Sequence, residues 1–152
     1  MVEIRALKVK DHAGVLAVAE ALPEWFDADA RGRAIPVDLC HQQGFVALFD
    51  EKVIGFITLY VSEGRLNISW LGVEPSHWRS GIGSELIARA ERYATELGLT
   101  EIATCTLGEG VDYRPYEATR KFYLVNGFTV YQRSQTDNRS CPEEIKIKKR
   151  IA

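Results

Sequence analysis

The most constraining feature of this sequence is a single change of pattern in its middle. A run of branched and aromatic residues ends at Leu71-Gly72-Val73, a short turn follows at Glu74-Pro75-Ser76, and Gly81-Ile82-Gly83 opens a strongly amphipathic helix. In that helix Ile82, Leu86, Ile87, Ala90, Tyr93, Ala94 and Leu97 recur at helical spacing, while Glu85, Arg89, Arg92 and Glu96 lie elsewhere. Glu85 precedes Arg89 by one turn, a modestly stabilising order, and Gly98 supplies the stop. A strand that hands over to a helix through glycines makes an anion site. The first-turn N–H groups are free, the helix dipole favours negative charge there, and glycine at 81 and 83 lets a phosphate reach the backbone. Arg79 adds a positive charge beside the loop.

Gly-x-Gly alone does not name a ligand. A Walker loop ends in Gly-Lys-Ser/Thr, whereas Gly83 is followed by Ser84-Glu85. A dinucleotide fingerprint needs a small residue where Leu86 stands, and it follows the first strand of its unit. Both fit poorly. The plainer alternative is that the two glycines only allow a tight turn and close helix packing.

The rest of the chain supplies the frame. Residues 3–9 alternate as a first strand with Ile4, Ala6 and Leu7 inward. Asp11 can cap a helix over 12–22, which carries Val15, Leu16, Ala19 and Leu22 on one face and ends at Pro23. A second helix is expected over 29–43, perturbed at Pro36. Strands over 44–49, 53–61 and 66–73 are separated by Asp50-Glu51-Lys52 and Ser62-Glu63-Gly64-Arg65, the punctuation of an antiparallel meander. A strand over 102–107, a helix over 115–126 between Pro115 and Gly127, and strands over 128–132 and 144–151 complete the chain. The polar run 134–140 reads as a flexible loop. This order gives an α/β (mixed α+β) fold rather than a doubly wound sheet.

The 152 residues suit a single domain over 1–152 with its own core. With 19 basic against 21 acidic residues, the formal charge of −2 argues against a nucleic-acid or anionic-membrane surface. Cys40, Cys105 and Cys141 lack a Cys-x-x-Cys spacing and suggest neither disulfide framework nor zinc site; Cys105, on a strand, is expected in the core. His12, His41 and His77 show no metal spacing. No stretch reads as a signal peptide or a membrane span, so a cytoplasmic protein is expected.

With Val73-Glu74-Pro75 before Gly81-Ile82-Gly83, the chain resembles the GNAT superfamily of N-acetyltransferases, whose signature is Arg/Gln-x-x-Gly-x-Gly/Ala between a strand and a long helix. A second match follows about forty residues later, where Phe122-Tyr123-Leu124-Val125-Asn126-Gly127-Phe128 resembles the family's aromatic-Tyr-x-x-x-Gly-Phe segment. The resemblance covers roughly residues 45–131. It implies a mixed, mostly antiparallel sheet of about seven strands, splayed between strands four and five and flanked by about four helices. Amides from Arg79, Ser80, Gly81, Ile82, Gly83 and Ser84 would hold the coenzyme A pyrophosphate, and the main chain of Leu71 and Val73 would pair with pantetheine. An N–H near Val73 would stabilise the thioester oxygen. Tyr123 would give a proton to the departing thiolate. The cosubstrate would be acetyl-CoA, without a metal.

The sequence departs from the family at three places. The leading Arg/Gln falls on Trp78, the glutamate of some relatives on Asn67, and the asparagine seven before the tyrosine on Tyr116. Glu24, Glu63 or Asp112, a water relay, or binding of the amine already neutral could supply the missing base. On the acceptor side Glu24, Trp25 and Phe26 combine aromatic rings with carboxylate, a combination that suits a cationic amine; Glu109 and Asp112 add acidity at another rim. The opposing view is that the rings fasten the helix to the sheet. The acceptor is expected to be a small-molecule or protein amine. Isoleucines at 145, 147 and 151 beside lysines mark a terminal amphipathic strand, which in relatives often lies at a homodimer contact. The leading function is N-acetyltransfer by direct attack in a ternary complex. The alternative is a non-catalytic acyl-CoA-binding sensor or interaction module.

Overall fold

The computed structural model describes residues 1–139 and 141–151. Its strands are β1 (Val2–Ala6), β2 (Gln43–Phe49), β3 (Lys52–Ser62), β4 (Arg65–Val73), β5 (Glu101–Leu107), β6 (Thr129–Gln135) and β7 (Glu143–Arg150). The helices are α1 (His12–Glu20), α2 (Ile35–Leu39), α3 (Ile82–Glu96) and α4 (Arg114–Val125), with one-turn 3₁₀ segments at Val9–Asp11 and Pro75–His77. The strands form one sheet in the order β1-β2-β3-β4-β5-β7-β6, antiparallel except for β4 beside β5.

Period-two alternation sorts the side chains onto two faces. Phe45, Ile57, Leu59, Leu66 and Ile68 pack under the apolar side of α3, together with Tyr123, Phe128, Ile145 and Ile147. Val46, Leu48, Val53 and Phe56 face the other way, beneath Val15, Val18, Leu22, Phe26 and Ile35 of the α1–α2 layer.

Departures from the sequence reading have local causes. β1 stops at Ala6, which is exposed, because Asp11 closes a 3₁₀ turn. The Asp11 carboxylate accepts the Lys8 N–H at 2.8 Å and pairs with the Arg5 guanidinium at 2.7 and 2.9 Å, so it secures that turn rather than capping α1 through its side chain. The second helix is shorter, ending at Leu39, and passes through a π-helical turn over Ala30–Ala34, where the Ile35 N–H reaches back to the Ala30 carbonyl. Pro36 follows this π turn directly, and the wider turn accommodates the hydrogen bond that proline cannot donate. Leu97 lies beyond the end of α3 and is exposed. β6 extends through Ser134 and Gln135, taking two residues from the expected loop; Ser140 is outside the described residues. Cys105 is exposed rather than core, because Thr104 and Thr106 on either side of it take the inward positions. The terminal β7 turns Ile145 and Ile147 inward, but it is flanked by β5 and β6, so β6 and not β7 is the sheet edge.

One irregularity creates the opening that matters for function. In β4, Ser69 is an extra residue between the Thr58–Trp70 and Leu59–Ile68 pairs. Such a bulge bends its strand and increases local twist. β4 and β5 pair only at Leu66–Ile102, Asn67–Ala103 and Ile68–Thr104, and beyond the bulge they diverge.

Candidate active site

Two adjoining cavities line the diverging strands. The first, about 410 Å³, runs from Leu71, Gly72 and Val73 to the N-terminus of α3. The second, about 210 Å³, lies between Ser69–Leu71 of β4 and Thr104–Leu107 of β5. Trp25, Phe26, Leu71, Thr119 and Tyr123 belong to both walls.

The first cavity presents backbone donors and acceptors from two sources. Antiparallel pairing alternates the direction of successive peptide groups. The Glu74 N–H is spent on the Ile54 carbonyl of β3 at 2.7 Å, so Val73 and Leu71 turn theirs towards the opening. The indole Nε1–H of Trp78 donates to the Val73 carbonyl at 2.7 Å, and Trp78 stands edge-on to Trp25 at 5.3 Å. At the helix start, the Glu85 N–H to the Gly81 carbonyl at 3.0 Å closes the first turn. The amides of Ile82, Gly83 and Ser84 therefore have no acceptor within the helix.

The two glycines do different work. Gly81 is in the left-handed region at φ +81° with open space around its Cα, so its backbone angle is what requires glycine. Gly83 has ordinary backbone angles, but a Cβ there would sit 3.1 Å from the Phe122 ring. It lets α4 close onto α3. Arg79 adopts φ +66° on the same loop, strained for a residue with a side chain. Arg79, Gly81, Ile82, Gly83 and Ser84 line the cavity, as do Leu71 and Val73; Ser80 does not, its hydroxyl donating to the His77 carbonyl.

Tyr123 stands where the cavities meet. Its side chain is 6% exposed, packed between Phe122 and Phe128 with ring centroids 5.3 and 5.2 Å away. Burial raises the phenol's pKa well above its ordinary value, against a smaller opposing effect of a hydrogen bond with Thr104. The hydroxyl therefore keeps its proton throughout the neutral range.

Trp25 and Phe26 are fixed from opposite sides. Phe26 is buried against Phe56 and Trp70. Trp25 donates its Nε1–H to the Pro115 carbonyl and Thr119 Oγ1, both at 3.1 Å, while its own carbonyl accepts the Tyr116 hydroxyl at 2.7 Å. Burial pushes the Tyr116 phenol up to about 12, so it serves as a neutral tether. Glu24 is exposed and lines neither cavity; its contribution is a carbonyl that accepts the Tyr113 hydroxyl at 2.6 Å. Trp25 and Phe26 thus fasten this segment to the sheet and to α4 while also lining both cavities.

The three carboxylates that the sequence offered as bases do not converge here. Glu24 lies outside as described, neither Glu63 nor Asp112 lines a cavity, and Glu63 pairs with Arg65. Asn67 donates to the Ser62 and Arg65 carbonyls, both at 3.1 Å, and holds the β3–β4 turn. Two residues that sequence reasoning missed do line the second cavity: Glu144 and Thr106. No local motif marks either. Glu144 is the second residue of an alternating strand, and its place depends on how β7 pairs with β5, where it lies opposite Leu107.

The family model for the acetyltransferase (GNAT) family matches residues 15–128. No curated protein matches the sequence significantly. Among solved structures, a protein assigned to the GNAT family from Desulfovibrio desulfuricans aligns with a TM-score of 0.84 at 23% identity, covering 100% of each chain. The ribosomal-protein-S18-alanine N-acetyltransferase of Escherichia coli aligns at 0.77 and 14% identity, covering 100% of this chain and 95% of that one. The PaiA N-acetyltransferase of Thermoplasma acidophilum, solved with coenzyme A, aligns at 0.75 and 20% identity over 99% of each chain. With the family match spanning both the glycine loop and the Tyr123 segment, the chain belongs to the GNAT family of acetyltransferases.

Proposed function

We propose that this protein transfers an acetyl group from acetyl-CoA to a primary amine by direct attack within a ternary complex, with Tyr123 as the proton donor. The observation that carries the proposal is Tyr123 itself, a buried, protonated phenol on the shared wall of two cavities. The larger cavity has features that suit a CoA arm: amides at a helix N-terminus for the pyrophosphate, and for pantetheine a strand edge where the Leu71 and Val73 N–H groups face the opening, the Val73 carbonyl already accepting the Trp78 indole. The smaller one is left for the acceptor.

In this reading the neutral amine attacks the thioester carbonyl, whose oxygen gathers charge near the Val73 N–H. The C–S bond then breaks, and the Tyr123 hydroxyl gives its proton to the thiolate. The proton lost from nitrogen replaces the one Tyr123 gave, so the sum is an amide and free CoA. No cysteine is needed, since partial desolvation at the cavity wall raises the thiols of Cys105 and Cys141 and lowers their thiolate fraction. The rings and tethers around Trp25 align the reactants, a contribution from positioning rather than acid–base chemistry. A simple acyl-CoA sensor has no use for a proton donor at this junction.

The direct test is calorimetric titration of the purified protein with acetyl-CoA and CoA, with NAD and ATP as controls. Selective binding of the first pair is expected, followed by thiol release when a primary amine is added. Absence of binding to either one would return Gly81 and Gly83 to packing roles alone.

A further inference from the structure

The second cavity carries more than a place for an amine. Its wall is aromatic and apolar on one side, with Trp25, Phe26, Trp70 and Leu71, and hydroxyl-bearing on the other, with Thr104 and Thr106. Glu144 is the sole carboxylate among the described residues that line it, and no Lys, Arg or His is among them; Lys146, opposite Cys105 on the same face of β7, lies outside the lining. The Glu144 side chain is half-buried and makes no hydrogen bond or ion pair with another described residue, although its neighbour Glu143 is engaged by the Gly110 N–H and by Gln135. Thr106, 7% exposed, adds a buried Oγ1 without a hydrogen-bond partner among the described residues. Unmatched polar groups in a protein wall cost stability unless something completes them.

We infer that Glu144 selects the acceptor: a compact primary amine that is cationic in solution, is carried on an apolar or aromatic body, and has no carboxylate next to the amine. The inference rests on the acetyl-transfer reading above and deepens it. An ammonium group entering this cavity finds one negative charge and aromatic faces, both of which favour it. A carboxylate on the adjacent carbon meets the same Glu144 without a counter-cation in the wall, so a free α-amino acid is excluded by repulsion and desolvation. A volume of about 210 Å³ favours a small body over a long polycation. Glu144 comes from β7, outside the glycine loop and the Tyr123 helix, so it tunes acceptor choice without touching the CoA cavity.

The test compares 2-phenylethylamine with L-phenylalanine, which differ by one carboxylate, using thiol release at saturating acetyl-CoA. For the native protein, kcat/KM for 2-phenylethylamine should exceed that for L-phenylalanine by about 10- to 100-fold. In Glu144→Gln, the KM for 2-phenylethylamine should rise about tenfold or more with a smaller change in kcat. The preference over L-phenylalanine should shrink to within a few-fold, and acetyl-CoA binding by calorimetry should not change. Equal use of both acceptors by the native protein, turnover of neither while acetyl-CoA binds, or an unaltered preference in Glu144→Gln would each overturn the inference. Failure of the native protein to bind acetyl-CoA would instead strike the acetyl-transfer reading beneath it. The native ratio is read without any variant, so the test stands even if Glu144→Gln does not fold.

Discussion

Tyr123 gains its proposed role from the residues around it, because a phenol is an ordinary core side chain until a cavity reaches its hydroxyl. Removing only that hydroxyl, in Tyr123→Phe, keeps the ring contacts with Phe122 and Phe128. The variant is expected to lose roughly 10²- to 10³-fold in kcat while its acetyl-CoA affinity stays within about twofold. The pH dependence follows from the same environment. The proton-bearing form is the active one, and burial raises its pKa, so the native kcat should show no fall attributable to Tyr123 below about pH 10. A kcat–pH profile and a binding isotherm for each protein check both statements, and an unaltered kcat in Tyr123→Phe would sink the proton-donor role.

Between strand and helix, residues 74–84 form the proposed pyrophosphate site, and the glycines at 81 and 83 can be separated experimentally. Gly81→Ala places a side chain at φ +81° in otherwise open space, so the penalty is conformational, about 1 to 2 kcal/mol of stability by urea unfolding. Gly83→Ala has no such backbone penalty but drives a methyl to 3.1 Å from Phe122, so either the ring or the start of α3 must shift. That displacement lies on the wall of the cavity proposed for CoA. Gly83→Ala is therefore expected to weaken CoA binding more than it weakens the fold, measured by calorimetry and urea titration on the same sample. Equal losses in both measurements would mean that the two helices meet here for stability alone.

Taken whole, the molecule is a sheet held together at one end so that it can open at the other. Glu101 at the start of β5 is bonded to Arg65 of β4 at 2.9 Å and to Lys148 of β7 at 3.2 Å, on the paired side of the divergence. Arg5 and Asp11 fasten the first strand to the turn before α1. The Arg5 guanidinium holds the Asp11 carboxyl below its ordinary value despite the opposing cost of burial, with further help from the Lys8 N–H. A carboxyl with its pKa lowered in the folded state contributes stability in full above its unfolded value of about 4, and loses it as pH falls through the folded value. Asp11→Asn should accordingly cost about 1 to 3 kcal/mol at pH 7. The gap from the native protein should narrow progressively below about pH 4, as read by chemical unfolding at a series of pH values. A constant gap down to strongly acidic pH would show that the carboxylate's charge is not what matters there.

Much of this architecture is legible locally. The alternation of Ile145 and Ile147, the helical face of Ile82, Leu86, Ile87 and Ala90, and the glycine hand-over from strand to helix each depend on residues a few positions apart, so periodicity and turn chemistry suffice to read them. The family resemblance lies in the same local segments, Val73 to Gly83 and Phe122 to Phe128. What local pattern could not decide is which distant side chains meet. Glu24, adjacent to two site aromatics in sequence, lies outside both cavities, whereas Glu144, more than a hundred residues on, lines one of them. Gly83 answers to Phe122 across the joint between two helices, and the terminal strand is sealed inside the sheet by β6. The elements and the glycine hand-over from strand to helix can thus be read from residue order, because neighbours along the chain fix them. The wall of the second cavity cannot, because strand order and the bulge at Ser69 set which ends of the chain face the opening.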